Sequence, residues 1–91
     1  MELISPIALF ALARVLRFGA KKYADRNWEK GFAWSRAVGA IMRHTAAYLG
    51  GETLDPETGE SHMAHVMCEA MFLVEFEQTH PEKDDRPRRK Q

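Results

Sequence analysis

The sequence predicts an all-α domain of three main helices, and three observations carry that prediction. Apolar residues recur at helical spacing in three stretches, each stretch follows a serine able to cap a helix, and no segment alternates convincingly as a strand. At 91 residues the chain suits one domain near the lower limit for a self-sufficient core, so a homodimer that completes a bundle is expected. Residues 1–79 make that domain. The stretch 80–91 has two prolines, no large apolar side chain and dense charge, which predicts a disordered tail.

The first helix starts at Ser5-Pro6, where serine caps free backbone N–H groups and proline is tolerated in the first turn. Leu9, Leu12, Val15, Leu16, Phe18 and Ala20 then recur at helical spacing to about Tyr23, while Arg14, Arg17 and Lys21 mark another face. A long loop over residues 24–34 mixes turn formers with Trp28, Phe32 and Trp34. Those aromatics suit either a small satellite core under the loop or a stacking wall for a nucleobase. Ser35 is the expected cap of a second helix, Arg36 to Leu49, with Val38, Ile41, Met42, Thr45, Tyr48 and Leu49 as its apolar side and Gly50-Gly51 as its stop. An acidic Gly/Pro loop follows. Ser61 then caps a third helix running to about Gln78, whose expected buried side is Val66, Ala70, Leu73, Val74 and Phe76.

Lysine plus arginine equals aspartate plus glutamate, and this zero net charge argues against nucleic acid as a partner. The balance hides a gradient. Arg14, Arg17, Lys21, Lys22 and Arg26 fall within thirteen residues, while Glu52, Asp55, Glu57 and Glu60 fall within nine, so the basic segment and the acidic loop could meet around a metal-bound polyphosphate. The single cysteine, Cys68, excludes an internal disulfide and suits a reducing compartment. No signal-type segment and no apolar run long enough for a membrane helix is present, which predicts a cytoplasmic protein without a membrane partner.

Three of the four histidines lie between Arg43 and Glu69. His44 shares the inward stripe of the second helix, and His62, His65 and Glu69, at i, i+3 and i+7, share a face of the third. Two imidazoles one turn apart can hold one cation, with His44 and a loop carboxylate, Glu52 or Asp55, as further ligands. Without paired cysteines, mixed imidazole and carboxylate ligation suits an open site for a divalent ion such as manganese or cobalt. The bland alternatives are a capping role for His62 and a core histidine at His65. Lys21, Lys22 and Arg43 are candidates for phosphate oxygens, against the alternative that the lysines only complement a helix dipole. Asn27 beside Trp28 could pair with a base edge. Neither the P-loop nor the dinucleotide fingerprint is present, so metal-assisted hydrolysis is the economical chemistry, with Glu57 or Glu69 as general base.

The succession Phe18-Gly19-Ala20-Lys21-Lys22-Tyr23, Arg26-Asn27-Trp28-Glu29-Lys30-Gly31, Arg43-His44, Gly51-Glu52, Asp55-Pro56-Glu57-Thr58-Gly59 and Ser61-His62 with His65 resembles the phage domain known as the N-terminal domain of dATP/dGTP diphosphohydrolases, over about residues 3 to 78. The resemblance implies hydrolysis of a purine deoxynucleoside triphosphate to monophosphate and pyrophosphate, in the host cytoplasm if the source is a phage. A more distant similarity is to the all-α MazG-like pyrophosphohydrolases, which hold magnesium with Glu-x-x-Glu on one helix and Glu-x-x-Asp on the next. Here His44 stands at the end of the first pattern and His62-x-x-His65 in place of the second, and the acids are absent from those positions. The competing reading is a non-catalytic nucleotide- or metal-binding or assembly module of a phage protein.

Overall fold

The computed structural model describes residues 1–88. Helix α1 spans Pro6–Lys22, α2 spans Trp34–Leu49 and α3 spans His62–Thr79, with 3₁₀ turns at Asn27–Lys30 and Pro81–Lys83. Among the described residues there is no strand, only one bridge between Leu54 and Ser61. Ser5 Oγ accepts from the Ala8 N–H at 3.2 Å and Ser61 Oγ from the Met63 N–H at 3.1 Å, so two of the expected caps form.

The third cap differs. Helix α2 begins at Trp34 with Ala33 at its cap position, and Ser35 lies inside its first turn. Asp85 supplies the missing acceptor from the far end of the chain, taking the Ser35 N–H at 2.9 Å and also the Ser35 hydroxyl. A carboxylate at a helix N-terminus satisfies a free donor and faces the positive end of the dipole. At the other end α2 stops as expected. Gly51 takes φ 100°, its N–H donates to the Tyr48 carbonyl, and the Glu52 N–H donates to that of Ala47, the pattern of a Schellman cap.

Helix α3 is the hub: α1 and α2 both pack on it, α2 the more extensively, and far more than on each other. The buried residues are Val15, Trp34, Ala37, Ala40, Ala64, Cys68 and Phe76, with His62 beside them. The expected apolar sides of α2 and α3 are therefore corrected. Met42 and Leu49 are 66% and 87% exposed and Val74 is 66% exposed, whereas Ala37, Ala40 and Ala64 face inward. Small side chains let the two helices approach closely, so the contact face carries alanines and the large apolar groups fall outside it.

The aromatic loop closes over α3 as a satellite core. Trp28 stacks on Phe72 at 4.8 Å between centroids, and Phe32 meets Phe72 and Phe76 edge-on at 5.8 and 5.1 Å. The expectation of disorder from residue 80 is also corrected for residues 80–88. His80 lies between the Glu29 carbonyl and the Glu82 carboxylate at 2.8 and 2.9 Å, the Trp34 indole N–H donates to the His80 carbonyl, and Arg86 covers the Trp34 ring. Composition misses this because aromatic and backbone groups of the body provide the partners. The rest of the expected tail, residues 89–91, lies outside the described residues.

Candidate functional site

The loop between α2 and α3 is built on Asp55. Its Oδ1 accepts from the N–H groups of Glu57 and Thr58 at 2.8 and 3.1 Å, an Asx turn, and its carbonyl accepts from the Gly59 N–H at 2.7 Å. Gly59 adopts φ 73°, open to glycine at little cost. The loop thereby folds back along the start of α3, and the other Asp55 oxygen, Oδ2, lies 3.9 Å from His44 Nδ1.

His44 Nδ1 and His62 Nδ1 face each other at 2.8 Å, and the ligand atoms of His44, Asp55 and His62 all lie within 4.8 Å of one another. Two ring nitrogens at that distance share a proton, one imidazole donating its N–H to the lone pair of the other. Burial, followed by the neighbouring His65, holds His44 below the usual imidazole value against the opposing pull of Asp55, so its lone pair is available. Burial pushes Asp55 upward, but the two loop N–H groups and the adjacent histidines outweigh it and keep the carboxylate ionised. The lowered His44 imidazole and the ionised Asp55 carboxylate, with His62 beside them, are donor types that suit a divalent cation.

Glu52 and His65 hold supporting places. Glu52 Oε1 lies 2.7 Å from His62 Nε2, on the ring edge turned away from His44, the arrangement that orients a ligating histidine. His65 Nε2 contacts Thr58 Oγ1 at 2.8 Å, and its ring stacks on His44 at 4.5 Å. Burial is the largest influence on His65, and its imidazole also titrates below the usual value.

Beside this cluster a groove of about 1030 Å³ runs over α3, between α1 and α2. His65 and Glu57 line its boundary with the cluster, and Arg17, Lys22, Arg26, Arg36 and Arg43 stand on its walls. Phe18, Trp28, Phe32 and Phe72 make its apolar part, with Asn27 adjoining. Of the candidates read from sequence, Lys22, Asn27, Trp28, Arg43, Glu57 and Glu69 line this groove. Lys21 does not; it faces a separate hollow of about 200 Å³ lined by Arg14, Arg17, Thr58 and Glu60, where Arg14 pairs with Glu60 at 3.0 Å. Lys22 lies 3.7 Å from Glu57 across the groove mouth.

Glu69 lies in the groove with its Oε2 buried and no hydrogen-bond partner. Burial raises its carboxyl to about 7, with Arg36 and Arg43 pulling it back. Arg36 escapes the reading from sequence, although it precedes Arg43 by two helical turns and so shares its face.

The fold and site define a small all-α domain with a basic, aromatic-walled groove and an adjoining histidine and carboxylate cluster. The family described as "dATP/dGTP diphosphohydrolase, N-terminal" matches residues 1–86, and the chain belongs to it. A protein of Salmonella phage PMBT28 named dATP/dGTP diphosphohydrolase is 35% identical over 86 residues, covering 94% of this chain. The match spans 29% of that relative's length. No solved structure matches.

Proposed function

We propose that the groove binds a purine deoxynucleoside triphosphate, dATP or dGTP, and that the domain hydrolyses it to monophosphate and pyrophosphate with a divalent cation. The observation that carries this reading is the junction of the His44, Asp55 and His62 trio with a basic, aromatic groove through His65, which lines the groove and stacks on His44. The relative's name supports the substrate class.

His44, Asp55 and His62 would hold manganese, cobalt or magnesium, with Glu52 orienting His62 and His65 buttressing His44. Such a cation, when bound, neutralises charge on phosphate oxygens. Lys22 and Arg43 approach the phosphates from the groove walls, with Lys21 supplying more distant positive charge. The stacked pair of Trp28 and Phe72 offers one aromatic wall for the base, and Asn27 lines the groove beside Trp28. Glu57, which belongs to the turn built on Asp55, takes the proton of the attacking water. The water oxygen bonds to the α-phosphorus, the bond from that phosphorus to the bridging oxygen breaks, and pyrophosphate leaves against the basic wall. Replacing Glu57 by Gln is expected to lower kcat by roughly a hundredfold or more with little change in KM. An unchanged kcat would remove Glu57 from the chemistry.

Two copies are proposed to pair through exposed apolar groups that include Ile7, Phe10, Met42 and Leu49. Sedimentation should report twice the chain mass. The competing reading, a binding or assembly module, draws on the 29% coverage of the relative. Nucleotide or metal binding without pyrophosphate release by this chain would favour it.

A further inference from the structure

Glu69 is an ionisable group of the groove that the proposed hydrolysis leaves unused. It stands seven residues after His62 on α3, about 10 Å along the axis, and one turn before Phe72, which carries the stacked Trp28. It therefore lies between the cation end of the groove and the aromatic end. Facing it are Arg36 and Arg43 from α2, His65 and Cys68 on its own helix, and around the groove Arg17, Lys22, Asp25, Arg26, Glu29 and Glu57. One of its oxygens is buried with no partner, a costly state that a donor or acceptor on a bound base would relieve.

We propose that Glu69 reads the Watson–Crick edge of the purine, as a carboxylate accepting from the N1–H and 2-amino group of guanine, and as a carboxylic acid pairing with N1 and the 6-amino group of adenine. This rests on the reading of the groove as a purine nucleotide site. Guanine presents two adjacent donors on that edge and adenine one acceptor and one donor. A carboxyl group matches the first set when ionised and the second when protonated, so one proton exchanges one specificity for the other. Burial against two arginines leaves both forms populated near neutral pH. A single pocket can then accept both purines without moving a side chain.

The test is calorimetric binding of dGMP and dAMP to the full chain with magnesium present, at about pH 6, 7 and 8. Titration of the phosphate is common to both ligands and cancels in the ratio of their dissociation constants. The ratio is expected to shift toward dGMP by roughly tenfold or more across that range. Glu69→Gln fixes one donor and one acceptor, so it should keep dAMP within about threefold, weaken dGMP about tenfold or more, and flatten the ratio. A ratio independent of pH in the native chain, or unchanged dGMP binding in the variant, overturns the proposal while leaving a purine site in place. Failure of both nucleotides to bind at every pH removes the purine reading itself, and the proposal with it.

Discussion

His44 and His62 meet through Nδ1 atoms at 2.8 Å, a hydrogen-bond contact that two imidazolium ions could not hold. Because burial first, and neighbouring histidines after it, depress His44, the unfolded chain takes up protons before the folded one as pH falls below 6.5. Stability of the metal-free protein should fall in that window, and manganese affinity, followed by titration calorimetry, should weaken by up to about tenfold per pH unit for each imidazole that must lose a proton. Glu69 has the opposite sign. Its folded value is raised, so it costs stability as pH climbs from 4.5 through about 7, and the thermal midpoint of Glu69→Gln should gain on the native chain over that interval. The histidine cluster was legible in the sequence because i, i+3 spacing and a glycine-rich acidic loop survive any error in helix phase. The difference between His62, facing His44, and His65, turned to Thr58, depends on how the loop folds back, and no residue spacing encodes that.

At the scale of elements, the helices and all their ends but the start of α2 were legible, and their buried faces only partly so. Helix α3 carries apolar side chains on nearly every side because two helices and the aromatic loop cover it, so periodicity could not select a phase. Helix α2 meets it through Ala37 and Ala40, and small residues leave little mark in an apolar pattern. Phe76, fully buried among Trp28, Phe32 and Phe72, anchors the loop. Phe76→Ala is expected to cost about 3–5 kcal/mol, a large part of what so small a domain has, and denaturant unfolding would measure it. Gly31 is the second dependency. It holds φ 84°, and a Cβ there would lie 2.8 Å from the His80 ring, so Gly31→Ala should destabilise by more than about 1 kcal/mol and free the segment after His80. Equal stability and unchanged amide protection at Ser35 would contradict that clasp.

For the whole molecule, the groove exists because α1 and α2 both lean on α3 while barely touching each other. The aromatic loop closes one part of the opening and the Asp55 loop another, which gathers residues from five segments around one cavity. No helix among the described residues is long and apolar enough to cross a membrane. The basic end of α1 and the acidic loop do converge, as their charges suggest, with Lys22 near Glu57 and Arg14 on Glu60. In the proposed function this convergence hydrolyses purine deoxynucleoside triphosphates with the help of His44, Asp55 and His62. The direct measurement is the yield of dGMP and pyrophosphate from dGTP, with manganese, cobalt or magnesium, for the native chain and His62→Ala. Equimolar products are expected from the native chain, with a rate at least about a hundredfold lower in the variant. No pyrophosphate with any of the three ions, or equal rates in the two proteins, would contradict it.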